Sequence, residues 1–545
     1  MKRRVFFGAV AGAGAALGGP QAEESGNHGA GGRKHEAYRV RVDAAQAERD
    51  ALQPSHPNNG DEALYPNHIG NYSKGLPHDD LGEVKPFGYT AFLQAMESGT
   101  QSALDGIPMG SDPSRGRKLV NPCSGIAFEM QGADSHHLAI PPAPALASAE
   151  IAGEMVELYW AALTRDIPFT KYDTDPIAQA AAADISKLSN FRGPKVSGQV
   201  TTKTLFRGFT PGDLVGPYVS QFLLKACQFG AQYVEQRMRT LMPGIDYMTQ
   251  YSDWLDVQNG LVPAATPVFD PVRRFIRTGR DLAQWVHIDV LYQAYFNAML
   301  IMLQPPDPSD PVTGGGMGVP LNPGNPYLGS LNQEGFGTFG GPAIATAVAE
   351  VSTRALKAQW YQKWFVHRRL RPEAYGGLVH NYLTRGQKYP IHPDLVNTAA
   401  FAQVQKQTGG FLLPMVFPEG SPLHPSYGAG HATVAGACVT MLKALFDETH
   451  VIPNPVVPSA DGTSLVPYTG PDAGSLTVGG ELNKIAANVA IGRNIAGVHW
   501  RSDYTESLKL GEAIAISILR DQRLGYGENF DGYTFTRFDG RKITV

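Results

Sequence analysis

The chain has 545 residues, of which 43% are apolar, so it is long enough to bury a large core. Its formal net charge of −4 gives no general basic field, which argues against nucleic acid as a partner. Three scattered cysteines, Cys123, Cys227 and Cys438, predict neither a disulfide framework nor a zinc site.

The first 20 residues predict an export signal. A basic start, Lys2-Arg3-Arg4, is followed by a weakly apolar Gly/Ala-rich run that resembles a twin-arginine signal, although a short disordered tail is the alternative. We therefore expect an exported protein, periplasmic or extracellular. Residues 21–37, rich in Gly, Glu and His, predict a disordered linker. No later apolar run reaches the ~18–20 residues that a membrane span needs.

Apolar residues at helical spacing predict a mainly α chain, with an N-terminal helical region over 38–340, a helical bundle over 341–521 and a tail over 522–545. The predicted helices are Ala149–Thr164, 175–190, Asp213–Cys227, Arg280–Leu303, Ile344–Leu370, Thr433–Phe446, Leu482–Ile495 and Tyr504–Arg520. Pro/Gly-rich stretches at 305–341 and 453–476 predict long loops.

The last stretch, Tyr533 to Val545, alternates polar and apolar residues and predicts a small hairpin. No βαβ alternation is present in the sequence, so a parallel sheet is not expected.

Several cations close the helix predicted from Ile344, in the sequence Lys363-Trp-Phe-Val-His-Arg-Arg-Leu-Arg371-Pro372. Proline disfavours the helical conformation in the residue before it, so the helix should unwind at Arg371. On an ideal helix Lys363 and Arg371 lie about 80° apart, and unwinding lets both charged groups turn toward one point. The alternative is a solvated helix end whose charges interact favourably with the helix dipole.

The loop His424-Pro-Ser-Tyr-Gly-Ala-Gly430-His431 precedes a run of small and apolar residues. This pattern predicts a loop that presents backbone N–H groups at the start of a buried helix. Such a start binds anions, because its first N–H groups have no partner inside the helix. As alternatives, His431 would be a helix-capping or core histidine and His424 a plain loop residue.

A third segment reads Arg493-Asn-Ile-Ala-Gly497-Val-His499-Trp-Arg-Ser502-Asp503. A helix should end near Gly497, and the next should begin near Ser502, a favourable N-cap. His499 would lie in the tight turn between them, unless it is only a structural histidine.

Together the segments read Lys-x7-Arg-Pro, Pro-Ser-Tyr-x-x-Gly-His and Arg-x5-His-x3-Asp. This pattern resembles the vanadium-dependent haloperoxidases, and most closely their algal and cyanobacterial bromoperoxidases. These enzymes share an all-α helical-bundle scaffold and an oxyanion site with the type 2 phosphatidic acid phosphatases. The supporting stretches are Gln362 to Glu373, Glu419 to Tyr427 and Gly497 to Asp503. The resemblance implies an all-α fold in which the helical bundle over 341–521 binds vanadate.

The resemblance also implies roles for the residues of these segments. His499 would bind the vanadium, His431 would act as the acid–base group with His424 beside it in the halide pocket, and Lys363 would polarise bound peroxide. The implied reaction oxidises bromide or iodide with hydrogen peroxide to a hypohalous acid equivalent that halogenates small organic acceptors. The groups implied to hold vanadate are Lys363, Arg371, Arg493, His431, His499 and the backbone N–H of Gly430.

Two positions bear on affinity and halide choice. The family usually has serine where this chain has Ala429, so one hydroxyl donor to the oxyanion is missing. His424 stands where the chloroperoxidases resemble one another in having an aromatic residue, which favours bromide over chloride. Gln362 lines the same pocket by analogy.

A phosphohydrolase on the same scaffold is the competing hypothesis, with His431 as general acid and His499 as nucleophile. The large N-terminal half, His424 and the match around Lys363 favour the haloperoxidase. A third hypothesis is a helical protein whose site has decayed, which Ala429 keeps open. Resemblance further implies a homo-oligomer, a dimer or larger ring, and a structural calcium or magnesium ion in the 305–341 loop is a further expectation.

Overall fold

The computed structural model describes residues 30–112, 114–307, 309 and 315–545, which fold mainly into α-helices. In chain order the α-helices are α1 (Ala30–Asp50), α2 (Asp61–Leu64), α3 (Pro86–Ser98), α4 (Gln101–Asp105), α5 (Ala149–Thr164), α6 (Pro176–Ile185), α7 (Tyr251–Gln258), α8 (Gly279–Trp285), α9 (Gln293–Leu303), α10 (Gly341–Tyr361), α11 (Pro372–Thr384), α12 (Pro393–Val396), α13 (Ala399–Thr408), α14 (Gly430–Leu445), α15 (Val478–Ile495) and α16 (Arg501–Gly525). A π-helical turn spans Gln362–His367. Short 3-10 helices span Pro122–Ile126, Ser135–His137, Phe169–Lys171, Gln221–Leu223 and Ala473–Ser475.

The strands of the described residues are short, and they pair as two-stranded antiparallel ribbons. In paired order they are β1 (Cys227–Phe229) with β2 (Gln232–Val234), β3 (Met238–Leu241) with β4 (Phe269–Arg274), β5 (Val456–Pro458) with β6 (Leu465–Pro467), and β7 (Thr534–Thr536) with β8 (Lys542–Thr544). In the last ribbon Phe535 lies opposite Ile543, which confirms the predicted C-terminal hairpin.

Two helices form the centre of the bundle. Every residue of α15 is buried, and so is every residue of α14 except His431. α14 packs against α10, α15 and α16. Its contact with α16 is close because two glycines meet there: a Cβ on Gly436 would lie 2.2 Å from the carbonyl oxygen of Leu508, and one on Gly511 would lie 2.1 Å from that of Thr433.

The predicted all-α bundle is confirmed, and most predicted helices are present with ends that differ by a few residues. The helix predicted over Asp213–Cys227 is wrong: the structure has turns, a 3-10 helix and the start of β1 there. Gly216 has a left-handed φ of +73° and Pro217 follows it, so a continuous helix cannot form. The single helix predicted over Arg280–Leu303 is also wrong, because the chain unwinds between α8 and α9.

The N-terminal predictions fall partly outside the described residues. Residues 1–20 lie outside them, whereas residues 30–37, placed in a disordered linker by composition, begin α1. Helix-forming residues and an ion pair between Glu36 and Arg39 support this first part of α1. In the described part of the chain, no helix is both long and apolar enough to cross a membrane, and the three cysteines are free thiols.

Candidate oxyanion site

Lys363 lies in the π-helical turn that extends α10, and its side chain is fully buried. Its ammonium group donates to the carbonyl oxygens of Pro425 (2.8 Å) and Ser426 (2.9 Å), so the loop before α14 is fastened to the end of α10. The ring of Trp360 lies 5.7 Å from the same nitrogen. Burial, and then repulsion from Arg371, lowers the pKa of Lys363 well below its ordinary value.

Arg371 joins all three sequence segments. It is the N-cap of α11, extended at ψ 154° before Pro372, as predicted from the proline. Its guanidinium donates to the carbonyl oxygen of Val498 (2.7 Å), and its Nη2 lies 2.9 Å from Nδ1 of His424. Its Nη1 lies 3.0 Å from Nε2 of His499.

His499 is held by a carboxylate that also starts the next helix. Its Nδ1 lies 2.8 Å from Oδ2 of Asp503, which also accepts the backbone N–H of Trp500 (3.0 Å). Because of this cap, α16 begins at Arg501 and its N-cap is Trp500 rather than the predicted Ser502. Asp503 fixes a proton on Nδ1, so Nε2 keeps its lone pair and faces the cations. Burial, then Arg371 and Lys363, depresses the pKa of His499 well below its usual range, so the ring is neutral.

The same carboxylate organises the surroundings of the site. Ser426 donates to Asp503 from the loop before α14, and Arg369 donates to its other oxygen at 2.9 Å. Arg369 is in turn paired with Glu154 of α5 (2.9 Å). Asp503 therefore ties the loop, the end of α10 and the start of α16 into one buried network.

Arg493 approaches from the last turn of α15. Its Nη1 donates to the carbonyl oxygen of Val286 (3.0 Å), while its buried Nε has no hydrogen-bond partner among the described residues. Burial lowers the pKa of its guanidinium to about 10, which leaves the charge intact at neutral pH.

The N-terminus of α14 presents the backbone. Gly430 is its first residue, and the N-cap, Ala429, makes no side-chain hydrogen bond. Nothing at this position therefore replaces the hydroxyl that a serine would supply. The Ala429 N–H is already taken by Ser507 of α16 (2.8 Å). A Cβ on Gly430 would lie 3.1 Å from the ring of Trp360, so a side chain there would press on that ring.

His424 is buried and lies against this group, with its ring centroid 4.8 Å from that of Trp360. Burial, then the charges of Lys363 and Arg371, holds its pKa well below the usual range. Gln362 donates to the carbonyl oxygen of Leu138 (2.7 Å).

His431 has a partner that the sequence reasoning missed. Its Nε2 lies 3.0 Å from Oδ1 of Asp289, whose side chain is only 3% exposed while that of His431 is 20% exposed. Asp289 comes from the unwound stretch between α8 and α9. The only signal in the sequence is the isolated His287-Ile-Asp289, which interrupts an apolar run.

The charges of the pocket fit a tetrahedral oxyanion. Lys363, Arg371 and Arg493 are buried, and the charges of both arginines act on Lys363, while the nearby carboxylate of Asp503 is shared with Arg369 and His499. Burial lowers the pKa of Arg371 to about 10; the charge of Asp503 opposes this shift, and repulsion from Arg493 adds a smaller contribution to it. A multiply charged anion such as vanadate would offset this surplus and give the unpaired Nε of Arg493 an acceptor. The structure thus brings the predicted residues together, while their individual roles stay predictions.

No group of three or more His, Cys, Asp or Glu side chains within the described ranges could hold a metal ion. Residues 308 and 310–314 of the 305–341 loop lie outside those ranges, so the calcium or magnesium ion also stays a prediction.

The fold and the candidate site define a class: helical-bundle proteins with buried cations and histidines gathered near the start of a central helix. The protein-family model described as the VCPO second helical-bundle domain matches residues 344–523 of this chain. The vanadium-dependent bromoperoxidase of Corallina pilulifera is 38% identical, over 94% of this chain and 98% of that protein. The one from Ascophyllum nodosum is 34% identical, over 94% and 92% respectively. The chain therefore belongs to the vanadium-dependent bromoperoxidase family.

A solved structure supports the same relationship over the whole fold. The second vanadate-dependent bromoperoxidase of Ascophyllum nodosum, described as homohexameric, matches with a TM-score of 0.88 and 35% identity. The match covers 98% of this chain and 94% of that one.

Proposed function

We propose that the chain is a vanadium-dependent bromoperoxidase that oxidises bromide or iodide with hydrogen peroxide. Peroxide, halide and one proton give hypohalous acid and water, so two electrons pass from the halide to the peroxide. The hypohalous acid, or its equivalent, then halogenates small organic acceptors. The observation that carries this proposal is the gathering of Lys363, Arg371 and Arg493 around His499, whose Nε2 keeps its lone pair and faces Arg371.

Vanadate, when bound, supplies a Lewis-acidic centre that activates peroxide. The three cations and the Gly430 N–H would hold its oxygens, and His499 would offer Nε2 as the metal ligand because Asp503 keeps the proton on Nδ1. Burial and Arg371 disfavour the charge of Lys363, and a bound oxyanion would stabilise it, so Lys363 would add positive charge where negative charge develops.

His431 manages the proton that the reaction consumes. Asp289 holds a proton on Nε2 of His431, which leaves Nδ1 to take and return a proton. The ring is partly exposed, so it can exchange that proton with solvent.

The test is a bromination assay on metal-free protein with peroxide and bromide, titrated with orthovanadate and then with phosphate. We expect activity to appear with vanadate and to fall as phosphate competes for the same pocket. A parallel chloride arm should be much slower, since His424 occupies the position that is aromatic in chloroperoxidases. No bromination at saturating vanadate, together with turnover of a phosphomonoester, would identify a phosphohydrolase instead.

We also propose that the protein is exported and forms a homo-oligomer. The basic N-terminal sequence supports export, and fractionation of expressing cells tests it. The homohexameric relative supports oligomerisation, and light scattering after size exclusion measures the subunit number.

A further inference from the structure

Two carboxylates lie in the middle of a helix that is otherwise buried and mostly apolar. Glu154 and Glu157 belong to the stretch of α5 from Ile151 to Ala162, in which every residue is buried, and each of the two is only 3% exposed. An ionised carboxylate is costly to bury unless it is paired and hydrogen-bonded. The partners of these two groups therefore show what they hold in place.

Glu154 holds two groups that surround Asp503. Its Oε2 accepts from Nη2 of Arg369 at 2.9 Å, and its Oε1 accepts the backbone N–H of Ser502. Ser502 is the second residue of α16, so its N–H has no acceptor within that helix. Glu154 thus fixes both the arginine that pairs with Asp503 and the helical turn that carries it.

Arg369 connects this carboxylate with the one that holds His499. Its Nη1 donates to Oδ1 of Asp503 at 2.9 Å, and the other oxygen of Asp503 lies 2.8 Å from Nδ1 of His499. Burial opposes the charge of Arg369, but Glu154 and then Asp503 raise its pKa above the ordinary value. One guanidinium is therefore shared between two carboxylates, and a continuous series of contacts joins Glu154 to His499.

We propose that Glu154 is a positioning residue that sets the ligand strength of His499 through Arg369 and Asp503. This inference rests on the proposed function. The negative charge of Glu154 offsets that of Arg369, so Asp503 keeps more of its own charge and accepts more strongly from Nδ1 of His499. A stronger hydrogen bond at Nδ1 makes Nε2 a better electron donor to a metal. Without the charge of Glu154, Arg369 would act on Asp503 alone, and Nε2 would be the weaker ligand.

Glu157 provides a matched control on the same helix. Its Oε2 accepts from Nε of Arg501 at 2.8 Å, and Arg501 also donates to the carbonyl oxygen of Arg207 at 3.1 Å. In the described part of the chain Arg501 makes no hydrogen bond to Asp503 or His499. Glu157→Gln therefore removes an equally buried carboxylate opposite an arginine, without touching the contacts that lead to His499.

The test compares orthovanadate with inorganic phosphate, by calorimetric titration of the full, metal-free protein. The two anions have the same shape and closely similar charge, but phosphate takes no nitrogen ligand from His499. The ratio of their affinities therefore reports ligand strength, while a change in pocket charge affects both and largely cancels. We expect Glu154→Gln to lower the vanadate-to-phosphate ratio about tenfold, and Glu157→Gln to leave it within about twofold of the wild type.

A double variant separates charge from packing. Glu154→Gln/Arg369→Gln also removes the unbalanced arginine, and it leaves no unpaired buried charge from this pair, so it should be the more stable of the two variants. The ratio should return to the wild-type value or above. A tenfold loss in the double variant would overturn the proposal, even if Glu154→Gln alone did not fold, because contacts rather than charge would then set the ratio.

Two further results would overturn the proposal: a wild-type ratio in Glu154→Gln, or an equal fall in Glu154→Gln and Glu157→Gln. Failure of the proposed function is recognised separately, in the wild-type protein. If that protein bound vanadate no more tightly than phosphate and did not brominate, the function itself would fail before any variant is compared.

Discussion

Asp289 interacts with two residues of the candidate site, His431 and Arg493. It is hydrogen-bonded to His431, and its negative charge raises the pKa of Arg493 against the effect of burial. Asp289→Asn keeps the size but removes the charge, so we expect kcat to fall about 10–100-fold, as for other groups that orient a functional histidine. Vanadate should bind at least as tightly, because Arg493 loses a competing anion.

Steady-state kinetics and vanadate titration measure the two effects. Glu419→Gln is the matched control, since Glu419 also acts on Arg493 but does not contact His431. Equal loss of kcat in both variants would contradict a specific role for Asp289.

Ala429 offers a gain-of-function test at the start of α14. Ala429→Ser adds a hydroxyl that can donate to the oxyanion, and a charge-assisted hydrogen bond of this kind is worth roughly 1–3 kcal/mol. We expect vanadate affinity to rise about tenfold, as measured by activity regained on titrating the metal-free protein.

Serine is also a better N-cap than alanine, so a general increase in stability has to be separated from the local effect. Gln250→Ser provides the control, because Gln250 is the N-cap of α7 and makes no side-chain cap. It should raise Tm and leave vanadate affinity unchanged. An Ala429→Ser protein with wild-type affinity would show that the hydroxyl caps the helix instead.

At the scale of elements, the contact between α14 and α16 sets the geometry of the pocket. α14 carries Gly430 and His431, and α16 carries Asp503. Gly511→Ala would place a Cβ 2.1 Å from the carbonyl oxygen of Thr433, so the helices must move apart. Overpacking of this kind costs about 1–3 kcal/mol in the free energy of unfolding. Urea denaturation measures it.

Gly525→Ala is the control for this variant, because it lies at the end of the same helix with no atom within 4 Å of an added Cβ. Vanadate affinity should fall in Gly511→Ala and not in Gly525→Ala. Unchanged stability in Gly511→Ala would mean that the helices adjust without strain.

The long periodic helices could be predicted from the sequence because their apolar faces repeat at helical spacing. The unwinding at Arg371 and the end of α15 just before Gly497, whose φ is +87°, also follow from local rules. The break between α8 and α9 could not be predicted, because the apolar residues on both sides keep a helical period. Tertiary contacts stabilise the unwound chain there. The carbonyl oxygen of Val286 accepts a hydrogen bond from Arg493, and Asp289 contacts His431.

For the site, the sequence motif identified the cations and the histidines, but it contained only one of the two carboxylates that hold those histidines. Asp503 stands within the third segment, four residues from His499, whereas Asp289 is 142 positions from His431 and no spacing rule connects them. The π-helical turn at Lys363 was likewise unpredicted, since it depends on contacts with the loop before α14.

Across the whole molecule, buried neutral histidines make stability depend on pH. Burial lowers the pKa of His367 to about 3, and neither of its ring nitrogens has a hydrogen-bond partner in the described part of the chain. An unfolded histidine has a pKa of about 6.5, so below that pH the unfolded state takes up a proton that the folded state refuses. Stability should therefore be lost as the pH falls from about 6.5 toward 3, by about 2 kcal/mol at pH 5 from this one residue.

His367→Phe removes that proton uptake and keeps a ring against Tyr427, 4.8 Å away. Its free energy of unfolding, measured by urea at pH 7.5 and pH 5, should change less with pH than that of the wild type. An equal pH dependence in the two proteins would show that His367 is protonated in the folded state.

The surplus of buried positive charge also makes the fold sensitive to its ligand. Vanadate at about a hundredfold excess over Kd should add about 2.7 kcal/mol to the free energy of unfolding, because it binds only the folded pocket. Differential scanning calorimetry should show a higher Tm with vanadate in the wild type. Arg493→Leu should gain little from vanadate, because the pocket then lacks one of the three cations that would hold the anion. A ligand-independent Tm in the wild type would contradict the charge argument.

The alternation over Ile288, Asp289 and Val290 places one constrained position between two permissive ones. The side chain of Asp289 is buried against His431, whereas those of Ile288 and Val290 are mostly exposed. Substitutions at 288 and 290 can therefore accumulate at little cost to the fold, while a change at 289 disturbs its contact with His431. Sequence variation among relatives of this chain should accordingly be wide at the two outer positions and narrow at the one between them.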